Sequence, residues 1–250
     1  MRIDDWFLTA AERGNEATRL DRRHDDGAAW TEGNHVEVLI DGAAYYSRLA
    51  AAAAELTQGA TVWFTDWEGH ADEQLDAEGT TVGSMLVGLV RAGVAVRGLL
   101  WRSHPRRAHF AEQDNMHLAE EVNESGGLVV LDERVRRGGS HHQKLVVMRC
   151  APATDPAPGD GRTAAGRDVA FVGGIDLCHG RHDDGGHGGD PQAVELDPRY
   201  GPRPPWHDLQ LEVRGRAVDD LAWSFRERWE DPAPLDHRNP LRAAGGRRRS

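Results

Sequence analysis

Lys144 is the single lysine among 30 lysine and arginine residues, and it stands two positions after His142 in the stretch GGSHHQKLVV, Gly138 to Val147. A GC-rich codon bias accounts for the scarcity of lysine but not for its position. Arginine and lysine interchange on most solvated faces, yet a compact ammonium is the better group where one phosphoryl oxygen must meet a point charge. If the stretch is a strand, residues two apart share a face, and His142 and Lys144 project side by side. A neutral imidazole can then attack phosphorus while the fixed cation offsets charge growing on the phosphoryl oxygens. On spacing alone, a solvated His-x-Lys at a strand end is the competing reading.

The elements that must hold this pair are legible upstream. VEVLI (Val36–Ile40) reads as a strand, Ala43 to Leu56 as a helix, and ATVWFTDW (Ala60–Trp67) as the next strand. VGSMLVGLVRAG reads as a second helix closed by Gly93, followed by VAVRGLLW (Val94–Trp101), a helix over His109 to Asn123 and the strand LVVLDE (Leu128–Glu133). The strand–helix alternation predicts an α/β fold with a largely parallel or mixed sheet and helices on both faces. After Glu133 the rhythm changes to HHQKLVVM, DVAFVGGID and DLQLEVRG (Asp208–Gly215), with a closing helix AVDDLAWSFRERWED. Two Pro/Gly-rich inserts, Ala151–Arg167 and Gly185–Pro205, read as surface loops.

The combination HHQKLVVM…DVAFVGGIDLCHGRHDD closely resembles the His-x-Lys half-motif of the phospholipase D superfamily, in its phosphatidylcholine-cleaving branch. The likeness runs from about Gly33 to Trp229. It implies a phospholipase D-like half-domain over residues 33–231, between an N-terminal segment (1–32) and a linker-like tail (232–250). It also implies that His142 becomes a covalent phosphohistidine and that Lys144 grips the phosphoryl group, with no metal or other cofactor. Asp208, in PWHDLQLEVRG, matches the aspartate that hydrogen-bonds the nucleophilic imidazole in the family and fixes its tautomer. Gly173 and Gly174 match a glycine pair where the absent side chain lets backbone approach the phosphate. Asp176 stands where many relatives have a phosphate-side asparagine.

Two departures qualify the likeness. The full motif is HxKxxxxD, and its last position here is Arg149, so the motif aspartate is missing unless Asp155, Asp160 or Asp168 replaces it. The family's active site also faces two such motifs across one phosphorus, and this chain holds one. A second His-x-Lys half is therefore expected, from a homodimer mate or from a separate C-terminal half. RERWEDPAPLDHRNPLR resembles the junction into such a half, which favours a split or truncated gene.

Bulk properties narrow the partner. A formal net charge of −11 argues against a generic nucleic-acid surface, so phosphate must be held locally. The resemblance makes a phospholipid the expected substrate, with a single-motif nuclease dimer or a silent remnant domain as alternatives and at most peripheral membrane contact. Cys150 and Cys178 form no disulfide framework, the first residues do not read as a signal peptide, and no apolar run approaches a membrane span, so a cytoplasmic protein is expected. The loop HGRHDDGGHGGD offers His179, His182, Asp183, Asp184, His187 and Asp190 as metal ligands, but its glycines favour a polar loop at the mouth of the site. DWEGHADE (Asp66–Glu73) reads as a solvated acidic loop after a strand.

Overall fold

The computed structural model describes residues 30–102, 112–135, 139–151, 167–192, 199 and 201–235. The segment 1–29, most of the Ala151–Arg167 insert with Asp155 and Asp160, the start of the helix expected from His109, and residues 236–250 lie outside the described residues.

The strands are β1 (His35–Ile40), β2 (Thr61–Asp66), β3 (Ala95–Trp101), β4 (Leu128–Asp132), β5 (Lys144–Arg149), β6 (Val169–Gly173) and β7 (Leu209–Arg214). The helices are α1 (Asp41–Ala54), α2 (Val82–Arg91), α3 (Glu112–Glu124) and α4 (Ala217–Trp229). All seven strands form one mixed sheet in the order β1-β7-β6-β5-β2-β3-β4. The α/β class and the helices on both faces agree with the sequence. The parallel share is smaller than expected: among the described residues β2–β3 and β3–β4 are the parallel pairs, and the other four are antiparallel. The reason is the first crossover. β1 runs in the direction of β2, as a strand–helix–strand unit requires, but β7, β6 and β5 lie between them.

Local chemistry explains the elements. α2 starts with a capping box, in which the Thr81 hydroxyl accepts from Ser84 N–H at 3.1 Å and Ser84 Oγ accepts from Thr81 N–H at 2.8 Å. Gly93, at φ +83°, ends the same unit in a conformation that an L side chain rarely adopts. In α1 the residues Tyr45, Tyr46, Leu49, Ala52 and Ala53 recur at helical spacing and are buried against the sheet. They join α2 and α3 in the main core, around Phe64, Val146, Met148 and Phe171. On the other face α4 packs Phe225 and Trp229 over Leu145, Val147 and Ala170, with Trp63 stacked on Phe225 at 5.6 Å. α4 leaves the β1–β7 end of that face bare: Val36, Val38, Ile40 and Leu209 are 45–57% exposed.

Candidate active site

The end of β2, the start of β5, the end of β6 and the start of β7 meet at one end of the sheet, because these strands are antiparallel neighbours in register (Thr65 opposite Leu145, Lys144 opposite Gly173, Gly173 opposite Gln210). Lys144 is the first residue of β5, and His142 lies in the non-strand segment before it. The expectation that both project from one strand face is therefore corrected, since the strand begins too late to include His142. Their convergence has another cause. The His142 ring and Lys144 Nζ each lie 5.6 Å from the Trp67 ring, just past the end of β2. His142 is exposed there, whereas Lys144 is 3% exposed.

Lys144 Nζ forms an ion pair with Asp176 Oδ1 at 3.0 Å, between two almost wholly buried side chains. The contact lacks the alignment of a hydrogen bond, so the Nζ donors are not spent on it. Behind the pair, Asp66 ends β2 with its Oδ1 accepting from Trp67 N–H at 2.9 Å and its Oδ2 from Leu177 N–H at 3.2 Å. Burial, and then the Asp176 charge, push the Asp66 carboxyl well above the usual carboxylate range. Arg181 Nε stands 3.6 Å from Asp176 Oδ2, and its guanidinium stacks on Trp206 at 3.8 Å. Tyr46 holds the segment from inside by donating its hydroxyl to the Asp176 carbonyl at 2.6 Å.

The glycine pair admits close neighbours. A Cβ on Gly173 would lie 2.5 Å from Leu209 O, and one on Gly174 would lie 2.3 Å from Asp208 Oδ1. Asp208 thus packs against bare backbone. Its Oδ1 accepts from Leu209 N–H at 2.7 Å and its Oδ2 from the Trp206 indole N–H at 3.4 Å. Neither of these bonds goes to His142. Arg149, at the motif's aspartate position, sits at the far end of β5, where it pairs with Asp219 of α4 and lies 3.8 Å from Asp168. Asp168 therefore does not stand in for a carboxylate beside His142.

Sequence reasoning missed three groups. Asp66 was read only as the edge of a solvated loop, yet it is 2% exposed. Trp67 was read only as the last residue of a strand. His141, one residue before the exposed imidazole, is buried with Nε2 2.8 Å from Thr65 Oγ1, and burial, aided by the Arg228 charge, lowers its pKa to about 3. It stays neutral in any ordinary buffer. The signal that could have found Asp66 is its place at the C-terminal end of a strand, where α/β folds set ligand groups.

Among the described residues, His187 is the member of the polar loop that joins a set able to hold a cation: Asp41, His187 and His207, whose ligand atoms lie within 4.8 Å of one another. His187 Nδ1 is 3.2 Å from the buried Asp183 carboxylate, which leaves Nε2 as the free ligand atom. Glu68, His70 and Asp114 also cluster. There His70 Nδ1 accepts from His179 N–H, so Nε2 carries the proton it directs at Glu68, and the ring is not available as a ligand.

The Phospholipase D family model matches residues 70–242. Among curated proteins the chain is 31% identical to phospholipase D alpha 1 of Vigna unguiculata over 196 residues, 65% of this chain and 23% of that protein. It is 26% identical to phospholipase D alpha 2 of Arabidopsis thaliana over 224 residues, 74% of this chain and 27% of that protein. The matched region thus spans about a quarter of the length of these relatives. Among solved structures, one of TrmBL2, an archaeal chromatin protein, matches with a TM-score of 0.38 and 13% identity over 79% of this chain and 53% of that one. No helix of the described residues is long and apolar enough to cross a membrane. With the family model matching well over half of its length and a buried lysine beside an exposed histidine at the motif position, the chain belongs to the phospholipase D family.

Proposed function

We propose that the chain is one half of a phosphodiesterase that cleaves phosphodiesters, with phospholipids as substrate, through a phosphohistidine on His142. One observation carries the reading: a buried Lys144 with unspent donors and an exposed His142 meet on the same indole. The cation is held out of water while the nucleophile stays within reach of a substrate. In the reaction the His142 nitrogen forms a bond to phosphorus, the bond from phosphorus to the leaving alcohol oxygen breaks, and Lys144 offsets charge on the non-bridging oxygens. Water then attacks the same phosphorus and releases His142. Gly173, Gly174 and Asp176 line the phosphate side, and Asp208 orients His142 once substrate closes the site.

The leaving alkoxide needs a proton from the opposite side of phosphorus. His141 is unsuited to that task because it is buried and neutral. The proposal therefore includes a second His-x-Lys half. We favour a separate C-terminal half over a homodimer mate, since relatives are about four times longer than the region they share with this chain. The setting we attach is cytoplasmic, with at most peripheral contact to a membrane.

The test joins assembly and chemistry. The chain alone, and the chain mixed with a phospholipase D C-terminal half, are incubated with phosphatidylcholine vesicles and separately with DNA. Mass in solution is measured alongside, and the covalent phosphate is trapped under alkaline quench. Turnover of lipid only in the mixture, with phosphate on His142 and none in His142→Ala, is the expected result. Melting of the variant should shift little, because the side chain is exposed. An active monomer, phosphate on another residue, or cleavage of DNA in preference to lipid would refute the reading.

A further inference from the structure

We propose that Trp206 is a positioning residue that ties the two acidic sides of the site together: the edge of its indole holds Asp208, and its face holds Arg181 beside Asp176. Trp206 is half-buried in the non-strand segment before β7, two residues ahead of Asp208. Its Nε1–H donates to Asp208 Oδ2 at 3.4 Å, and the Arg181 guanidinium carbon lies 3.8 Å from the centre of its ring. The residue is itself anchored. Its backbone N–H donates at 3.0 Å to Asp183 Oδ2, a carboxylate of a residue 1% exposed, and Asp183 O accepts from Ala43 N–H in the first turn of α1 at 2.9 Å.

The edge governs a carboxylate that is held unevenly. Asp208 Oδ1 is fixed by Leu209 N–H at 2.7 Å and lies against Gly174, whereas Oδ2 has the longer indole bond. A bond of that length is weak, so it keeps Oδ2 turned to one side and still gives way when the carboxylate swings to an imidazole. The face governs a cation without a hydrogen bond at its Nε. Arg181 Nε is buried and unpartnered, 3.6 Å from Asp176 Oδ2, while Lys144 Nζ stands 3.0 Å from Oδ1 of the same carboxylate. Two cations thus share Asp176. A guanidinium laid on an indole is held by cation–π attraction without spending its N–H donors. The Arg181 backbone is fixed separately, since its carbonyl oxygen occupies the place of a Cβ on Gly42, and the stack therefore acts on the side chain. From that position its charge offsets part of the pull of Asp176 on Lys144. Without the stack Arg181 swings away, Asp176 closes on Lys144, and the ammonium keeps fewer donors for a phosphoryl oxygen.

The kinetic part of this inference rests on the proposed function, but the double contact does not, and the test separates them. NMR of the whole chain reads the contacts directly. The Arg181 Nε–H resonance is expected upfield under the Trp206 ring, still shifted in Trp206→Phe, which keeps a face, and back at its ordinary position in Trp206→Leu. The Leu209 amide is expected to move in both variants, because both lose the indole N–H. An Arg181 resonance indifferent to Trp206→Leu, or a Leu209 amide indifferent to Trp206→Phe, overturns the proposal whatever the enzyme does. In the active assembly, Trp206→Phe should lower kcat about tenfold with KM for phosphatidylcholine within about twofold. Trp206→Leu should add a rise in KM of about fivefold, the scale of one cation–π contact. Equal kinetics in the two variants would overturn the proposal. Should a Trp206 variant fail to fold in a thermal melt, Arg181→Met decides the face by the same rise in KM, and Asp208→Ala decides the edge by moving the Trp206 Nε1–H resonance. If the wild-type assembly turns over no phosphodiester at all, the functional reading fails and the NMR result still decides the contacts.

Discussion

Gly174→Ala is the sharpest probe of the site. A Cβ at this position would lie 2.3 Å from Asp208 Oδ1, 2.5 Å from Oδ2 and 2.7 Å from Cγ, so all three carboxylate atoms obstruct it. Ordinary carbon–oxygen contact begins near about 3.3 Å, and Asp208 must therefore retreat by roughly 1 Å. Gly174 lacks a positive φ, so the backbone itself accepts alanine and the strain falls on the Asp208 side chain. The retreat breaks the 2.7 Å bond from Leu209 N–H, a loss of about 1 kcal/mol. If Asp208 orients the nucleophile as proposed, a displacement of that size should lower kcat by about 100-fold. The assay is steady-state cleavage of phosphatidylcholine vesicles by the assembled enzyme, read with the amide NMR shift of Leu209. A displaced Leu209 resonance with a large loss in kcat and little change in KM is expected. Normal turnover with a shifted Leu209 amide would show that the position of Asp208 does not matter to the chemistry. An unshifted amide would show that the close approach is absent in solution.

Gly173→Ala serves as the contrast, because its Cβ meets the backbone at Leu209 O and Gln210 Cα inside the β6–β7 pair; it should lower stability by about 1–3 kcal/mol in a denaturant melt. Lys144→Arg keeps the charge but puts a planar fork into a fully buried slot, so turnover should fall about 100-fold, and near-normal rates would return the lone lysine to codon bias. Glu73 is fully buried without a hydrogen-bond partner on either oxygen, and burial, aided by the Asp190 charge, raises its pKa to about 9 from 4.5. The folded chain then holds a proton that the unfolded chain has released, so this group's contribution is complete below pH 4.5 and is lost as pH rises towards about 9. Glu73→Gln should raise the melting temperature at pH 8 and leave it nearly unchanged at pH 4.5. His141 works in the opposite sense. Its folded pKa of about 3 against 6.5 means that stability present above pH 6.5 is lost on acidification between those values, a loss that a His141→Gln variant should blunt in an acid titration.

Strand identity was legible because β-branched runs such as TVWFTD and AVRGLLW have few other uses, and the observed bounds of these two fall within one residue of the expected ones. Strand order was not, since it depends on pairings between distant segments that leave no local pattern: nothing in HVEVLI says that its neighbour is LQLEVR. The same limit divides the site. His142 and Lys144 stand two apart in sequence and were found there. Asp66 and Trp67 reach them only because β2 and β5 pair antiparallel with Thr65 opposite Leu145, a register that no single segment encodes. Asp208 and the glycine pair were recognised from their motif, but the steric reason for glycine, the carboxylate pressed against it, became visible only with the β6–β7 pairing.

The pairing of β1 with β7 also sets a schedule for synthesis. His35 emerges early and waits for Arg214, its partner across the sheet. At ribosomal rates of roughly 5–20 residues per second, that wait is on the order of 10 to 40 s. Throughout it β1 has neither edge satisfied, and Val36, Val38 and Ile40 form an apolar row that remains more than half exposed even after folding. The strands β2, β3 and β4 can pair much sooner, since each parallel step closes over one short helix. A nascent chain would thus carry a settled three-stranded layer and a loose sticky strand at the same time. Any truncation that removes Leu209–Arg214 strands β1 without a mate, so the first failure of such fragments should be aggregation through residues 35–40.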